Sequence, residues 1–193
     1  MRNTHLRPAI VSLLLFTLIT GVLYPLIVTG IAQVVFPWRA DGSLIERDGQ
    51  LIGSELIGQS FTDPKYFWGR PSATTPYPYN AAASSGSNLG PMNPMLEEAI
   101  RTRIEALQSA DPGNTAPIPV DLVTASSSGL DPHISVAAAF YQISRVARER
   151  GMSEDQVRAL VEQHIEDPQF GILGETRVNV LQLNLAMDGI QYK

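Results

Sequence analysis

The chain opens with one long uninterrupted run of apolar positions. No Asp, Glu, Lys, Arg or His occurs from residue 9 to residue 36, and a helix of that length extends about 42 Å. A bilayer core requires about 20 apolar residues, whereas a cleavable signal peptide has an apolar region of about 7–15 residues before a small-residue cleavage site. The run is longer than that and ends in Phe36-Pro37-Trp38-Arg39. We therefore predict a retained transmembrane helix over residues 9–36.

Small and polar residues recur at every fourth position within this run, namely Thr17, Gly21, Pro25, Thr29 and Gln33. Residues four apart lie on the same side of a helix, so these positions form an inclined ridge. Small residues let a second membrane helix approach closely, and polar residues hydrogen-bond across such a contact. The ridge predicts a partner helix in the membrane. The alternative is a lone anchor in which the threonines are incidental.

Beyond the membrane segment, the apolar residues occur in short segments that are typical of the strands of a small sheet. Apolar pairs on both sides of Asp48-Gly49 predict a β-hairpin, because this dipeptide is a strong two-residue turn signal. The sequence VDLVT at residues 120–124 is predicted to form a short strand that leads into residues 125–135. We therefore predict a small sheet formed near residues 43–62 and 120–124.

Three helices are predicted from capping residues followed by apolar stripes. They are residues 94–108 after the Asn93 cap, residues 136–150 between Ser135 and Gly151, and the helix after the Ser153-x-x-Gln156 capping box. Residues 177–188 fit two patterns, an alternating strand or a short helix capped by Asn179. The cap favours the helix, but the pattern alone leaves both open.

Charge predicts the orientation of the chain. Arg2 and Arg7 precede the apolar run, and 12 of the 14 Lys and Arg with all 19 Asp and Glu follow it, a net −7. The positive-inside rule then places residues 1–8 in the cytoplasm. The predicted fold class is α+β: a single N-terminal transmembrane helix followed by one compact extracytoplasmic α+β domain, residues 39–193. We expect a single-pass protein of the cell (inner) membrane that contacts the lipid bilayer.

The sequence ASSSGLDPHIS at residues 125–135 contains the side chains of a serine-hydrolase triad. Triad residues usually come from separate loops, and here Pro132 holds Asp131 extended, so we expect Asp131 and His133 to point apart. The G-x-S-x-G nucleophile pattern is also missing. The favoured interpretation is a strand-to-helix connection in which Ser135 caps the following helix.

Composition excludes several other functions. The chain contains no cysteine, which removes thiol catalysis and thiolate metal sites, and His5, His133 and His164 share no ligand spacing. The Ser/Gly-rich stretch lacks the lysine of a phosphate-binding P-loop. The net negative charge argues against a nucleic-acid partner. We predict no metal site and no catalytic residue.

Six segments in order after the membrane run resemble the C subunit of the Kdp potassium-transporting ATPase: GSELIGQSF, YFWGRPSA, SSGSNLGPMNP, DLVTASSSGLDPHIS, RVARERG and RVNVLQLNLAMD. The resemblance covers nearly the whole chain, and TASSSGLDPHIS is its most specific run. Met92, Val136 and Gln182 stand where the family usually has Thr, Pro and Glu. Proline is favoured but not required at the first position of a helix, so Val136 is compatible with the same fold.

The resemblance implies a non-catalytic accessory subunit of a high-affinity, ATP-driven potassium uptake complex. The implied partners are a channel-like potassium-binding subunit, a P-type ATPase subunit that hydrolyses ATP and a very small membrane subunit. The family is described as required for assembly and as a catalytic chaperone that raises the ATP affinity of the hydrolysing subunit. ATP and potassium are thus implied for the complex through the partners. The chain has no D-K-T-G phosphorylation sequence, and its nucleotide-binding residues are unknown.

The family motifs supply eight candidates for partner contact: Tyr66, Phe67, Trp68, Arg70, Ser127, Gly129, Asp131 and His133. Two other functions stay open. One is a membrane-anchored binding or sensor domain that uses the aromatic, proline-rich residues 66–79 as a recognition loop. The other is a serine hydrolase that uses Ser127 or Ser128 with His133.

Overall fold

The computed structural model describes residues 5–190. Arg2, on which the predicted orientation partly rests, lies outside the described residues, as does half of the predicted cytoplasmic segment 1–8. The chain divides into two compact units, Met1–Leu44 and Ile45–Lys193. Each unit is described by itself below.

The first unit contains one apolar helix that is long enough to cross a membrane, Leu6–Val35, with a mean hydropathy of 2.3 over its most apolar window. It consists of helix α1 (Leu6–Leu18), a π-helical turn (Ile19–Leu23) and helix α2 (Tyr24–Val35). A short helix, α3 (Pro37–Ala40), follows. The helix therefore begins three residues before the predicted segment and ends one residue earlier.

The π-helical turn ends two residues before Pro25. Proline has no backbone N–H, so it cannot donate to the carbonyl of Gly21. The Tyr24 N–H instead donates to the Ile19 carbonyl, five residues back, and the helix continues with a wider turn. A Cβ built on Gly21 would lie 3.9 Å from Thr17 Cγ2, so these two ridge positions remain adjacent across the turn.

The predicted hairpin is confirmed. Strand β1 (Leu44–Arg47) and strand β2 (Gln50–Ser54) form a two-stranded sheet. The turn residues Asp48 and Gly49 have φ values of 51° and 75°, as a type I′ turn requires at both central positions. The fully buried Ile45 packs with Leu181 and Leu185 in a small apolar cluster.

The prediction of a strand at residues 120–124 is wrong. Val120–Leu122 forms a 3₁₀ turn, with the Leu122 N–H donating to Pro119 O and the Val123 N–H to Val120 O. Residues two apart in a strand share a face, but Val120 is 69% exposed and Leu122 is fully buried. The Asp121 carboxylate accepts hydrogen bonds from Ser135 N–H and Oγ, at 2.7 and 3.1 Å.

The second sheet is formed by three short strands that were not predicted from the pattern of apolar residues. They are β3 (His133–Ser135), β4 (Ile165–Glu166) and β5 (Arg177–Asn179). Strand β5 lies in the centre and pairs antiparallel with both neighbours, so that Ile134 and Ile165 both face Val178 in register. The sheet brings the end of the 125–135 motif beside residues 165–166.

The predicted helices are present with small differences at their ends. They are α4 (Pro94–Ala110), α5 (Val136–Tyr141), α6 (Ile143–Arg150), α7 (Glu154–Gln163) and α8 (Val180–Met187). The caps are confirmed at Asn93, Ser135 and Ser153, with a complete capping box at the last. The helix predicted over residues 136–150 is interrupted at Gln142. Asn179 caps α8, which resolves the ambiguity of this segment in favour of a helix.

The main apolar core lies among α5 to α8, the three-stranded sheet and the inner face of α4. It includes Phe67, Leu122, Ile134, Val146, Val161, Val178 and Leu183, which are fully or almost fully buried. The unit is a mixed helix-and-sheet fold, as the sequence predicted.

Candidate functional site

Two of the family motifs, which contain residues 66–70 and 125–135, meet at one side of the second unit. Buried amide side chains hold the first of them. Asn184 accepts from the Phe67 N–H at 2.8 Å and donates to the Phe67 carbonyl at 2.9 Å. Gln142 does the same for Trp68, at 2.8 and 3.1 Å. Buried backbone groups need hydrogen-bond partners, and residues 67–68 have no neighbouring strand within residues 5–190 to supply them. The two side-chain amides satisfy the backbone N–H and C=O groups of these residues instead.

A buried arginine adds further hydrogen bonds to this segment, and we call Asn184, Gln142 and Arg145 together the amide and arginine clamp. Arg145 is only 2% exposed and donates to the carbonyls of Pro64 and Tyr66 and to Gln142 Oε1. Its guanidinium carbon lies 4.5 Å from the centre of the Trp68 ring, within the range of a cation–π contact. Burial lowers the pKa of Arg145 to about 10, a value at which it remains charged near neutral pH.

The proline- and serine-rich segment after Arg70 is ordered by side-chain hydrogen bonds. Ser72 Oγ accepts from the Tyr79 N–H at 2.9 Å and donates to the Gly129 carbonyl at 2.7 Å. The Tyr79 hydroxyl donates to the Arg70 carbonyl at 2.6 Å, and burial raises the pKa of Tyr79 to about 12. The Ser85 N–H donates to the Ser128 carbonyl at 3.0 Å. Composition typical of a linker therefore forms a structured loop here.

Five charged or titratable side chains form a continuous chain across the site. Arg70 Nη1 lies 3.2 Å from Asp131 Oδ2, and Asp131 Oδ1 lies 3.4 Å from His133 Nδ1. His133 Nε2 lies 3.7 Å from Glu166 Oε2, which pairs with Arg177 Nε at 3.0 Å. The outer members are positive and the two carboxylates lie inside them. Each carboxylate therefore lies beside an arginine of opposite charge.

The pKa of Asp131 reflects two opposing influences. Burial raises it, but hydrogen bonds from the His133 ring and the His133 N–H, together with the charges of His133 and Arg70, hold the pKa below its ordinary value. Asp131 is therefore ionised at neutral pH and serves as an acceptor.

The expectation that Asp131 and His133 point apart is wrong. Asp131 Oδ1 accepts the His133 N–H at 3.0 Å, an Asx turn that folds the carboxylate back over Pro132 towards the imidazole. The contact does not produce a triad, because the second ring nitrogen faces Glu166. Ser128 Oγ instead accepts a local backbone N–H, that of Leu130.

Arg70 and Asp131 line two depressions in the surface. One is a cleft of about 590 Å³ whose lining includes Asp121, His133, Ser135 and Arg177. The other, of about 420 Å³, is lined partly by Ser126, Ser127 and Ser128. Both are open and carry mixed charges, and within residues 5–190 no group of His, Asp and Glu has a geometry that could hold a metal ion.

The structure places the eight sequence candidates in two environments. Phe67, Trp68 and Gly129 are buried in the second unit, where the first two contribute to its core. Tyr66, Arg70, Asp131 and His133 are half-buried, and Ser127 is exposed. A direct contact with a partner stays a prediction, and only the accessible members can make it without rearrangement.

Four residues of the site were not identified from the sequence: Gln142, Arg145, Glu166 and Asn184. A polar residue within the apolar stripe of a helix is the one local indication of such a role, and Gln142, Arg145 and Asn184 each meet that description. Glu166 carried no such indication, because the sheet that places it beside His133 was not predicted.

The five ridge positions lie in the first unit and are exposed in the isolated chain. Gln33 Nε2 donates to Asp41 Oδ1 at 2.8 Å, so one end of the ridge already has a partner within the chain. The role of the ridge in contacting a second helix stays a prediction.

Known proteins match this chain along almost its full length. Residues 6–189 match the family model described as K⁺-transporting ATPase, c chain. The chain is 64% identical over 187 residues to the potassium-transporting ATPase KdpC subunit of Methylococcus capsulatus, covering 97% of this chain and 98% of that protein. The corresponding subunit of Dechloromonas aromatica is 63% identical over 188 residues, with coverages of 97% and 98%. The chain therefore belongs to the KdpC family, the c chains of potassium-transporting ATPases.

Proposed function

We propose that this chain is a non-catalytic accessory subunit that assembles and stabilises a potassium-transporting ATPase. The partners are a channel-like potassium-binding subunit, an ATP-hydrolysing P-type subunit and a very small membrane subunit. The observation that carries the proposal is the character of the site. The charges from Arg70 to Arg177 neutralise one another, and His133 faces carboxylates on both sides instead of a nucleophile.

The proposed location of the second unit is outside the cytoplasm, at the outer mouth of the channel-like subunit. The proposal is supported by the basic residues that precede the apolar helix and by the net −7 that follows it. In this position the domain would stabilise the complex and shape ion entry. Any influence on the ATP affinity of the hydrolysing subunit would then pass through the membrane helix as a coupling between states.

Labelling of introduced cysteines tests the orientation. The chain contains no native cysteine, so each substitution creates one labelled site. We expect Asp48→Cys and Met92→Cys to react with a membrane-impermeant maleimide in intact cells, because Met92 is 93% exposed and the Asp48 side chain is 89% exposed. His5→Cys, on the other side of the helix, should react only after lysis. The reverse pattern would show that the orientation is wrong.

A matched pair of glycines tests the ridge. Gly21→Leu places a large side chain on the ridge, whereas Gly30→Leu places it on another face, where a Cβ meets nothing within 4 Å. The two substitutions change helix propensity equally. We expect Gly21→Leu to lower the amount of ATPase subunits that co-purify in mild detergent by about fivefold or more, since small residues permit close helix packing. Gly30→Leu should co-purify normally, and equal losses for both variants would count against a specific ridge.

A further inference from the structure

The loop between β4 and β5 presents three large apolar side chains to solvent. Phe170 is 88% exposed, Ile172 80% and Leu173 56%. We refer to these three residues as the apolar tip. Large apolar residues scattered singly on a surface are ordinary, but a contiguous group usually marks a contact.

The loop that carries the apolar tip is held in one conformation by its own backbone. The Gln169 N–H donates to Leu173 O at 2.8 Å, and the Leu173 N–H donates to Gln169 O at 2.9 Å. A further turn bond runs from the Gly171 N–H to Pro168 O at 2.9 Å. A preformed loop loses little conformational entropy when it binds, which favours docking.

Phe170 occupies a backbone position that favours glycine. Its φ is 54°, in the left-handed region that is unfavourable for a bulky residue and costs about 1–2 kcal/mol. Its side chain packs against little of its own chain, since it is 88% exposed. Folding alone gives no reason for phenylalanine here, whereas a contact outside the chain does.

The charges around the apolar tip distinguish between possible partners. Asp167 and Glu175 flank it, and no Lys or Arg occurs from residue 167 to residue 176. Segments that bind a membrane surface typically combine apolar residues with Lys or Arg, because anionic lipids attract the basic side chains. An acidic flank instead complements a protein surface whose rim is basic.

We propose that the apolar tip docks into an apolar, basic-rimmed pocket on the extramembrane surface of another subunit of the ATPase. This rests on the proposed function as an assembly subunit. Glu175 and Thr176, which follow the tip, line the same cleft as Arg70 and His133. The docked subunit therefore also covers that cleft, and the charge chain becomes part of the interface.

Site-specific photo-crosslinking tests the contact directly. A photoreactive phenylalanine analogue replaces Phe170 in the complete ATPase, expressed in cells and held in its native membrane. We expect a cross-link to another ATPase subunit. The same analogue at Met92, which is equally exposed at 93%, is the control and should cross-link weakly or not at all. A product with a second copy of this chain, a product with lipid, or no product from an assembled complex would overturn the proposal.

A pair of substitutions separates docking from folding. Phe170→Gly removes the side chain and suits the left-handed backbone, so the thermal midpoint of the purified chain should not fall. Recovery of the partner subunits after a detergent challenge should fall about tenfold or more, as for an interface anchor. Ile172→Ser should act in the same direction. Unchanged recovery for both variants would contradict docking, while the cysteine labelling would still report on orientation independently.

Discussion

Replacing Arg145 with methionine should lower the free energy of unfolding of the second unit by about 3 kcal/mol or more. The guanidinium holds the carbonyls of Pro64 and Tyr66, and it also donates to Gln142 Oε1. Methionine fills much of the same volume but donates nothing, so one buried and two partly buried acceptors lose a charged donor. Urea unfolding followed by Trp68 fluorescence in a Trp38→Phe background measures the change.

Two further variants define what the arginine contributes. Arg101→Met removes a surface arginine whose side chain is 60% exposed and pairs with Glu97 within one helix, and it should cost less than about 0.5 kcal/mol. Arg145→Lys keeps the charge but loses the planar fork that reaches several acceptors at once, so most of the loss should remain. If Arg145→Met were as stable as Arg101→Met, the amide and arginine clamp would not be what holds residues 66–68.

The sequence predicted best those features that depend on neighbours within a few residues. Asn93, Ser135, Ser153 and Asn179 each cap a helix because a side-chain oxygen reaches a backbone N–H two or three residues ahead. Asp48-Gly49 forms its turn for a similarly local reason. The long apolar helix follows from composition alone.

The features that sequence reasoning missed depend on contacts between distant segments. The three-stranded sheet has strands of two or three residues, which are too short for an alternating pattern to be recognised. The strand prediction at residues 120–124 is wrong because the backbone there makes local 3₁₀ hydrogen bonds, and the Asp121 carboxylate is bonded to Ser135 in a distant segment.

The same limitation applied to the candidate site. The family motifs identified Trp68 and Asp131, but not the side chains that hold them. Gln142 reaches Trp68 across 74 residues of sequence, and the chain of charges from Asp131 closes through Glu166 on another strand. The segments that form the candidate site could therefore be named from the sequence, while their mutual geometry required the tertiary structure.

Gly129 provides the strongest test of that geometry, because it lies where the two halves of the site touch. Its φ is 67°, and a Cβ there would meet Ser85 O and Thr74 Cγ2, both at 2.6 Å. Alanine would thus combine an unfavourable left-handed backbone with a clash against a backbone carbonyl, which has little freedom to move. We expect Gly129→Ala to lower the free energy of unfolding by about 3 kcal/mol.

Gly151→Ala isolates the backbone part of this effect. Gly151 has a nearly identical φ of 63°, but a Cβ there meets nothing within 4 Å. Gly151→Ala should therefore lower the free energy of unfolding by only about 1 kcal/mol. The difference between the two variants in urea unfolding measures how closely the segment around residue 85 approaches Gly129. Equal losses in the free energy of unfolding would mean that the segment around residue 85 does not pack closely against Gly129. A larger loss for Gly129→Ala, accompanied by reduced recovery of partner subunits at temperatures where the chain stays folded, would show that assembly depends on the packing of this loop.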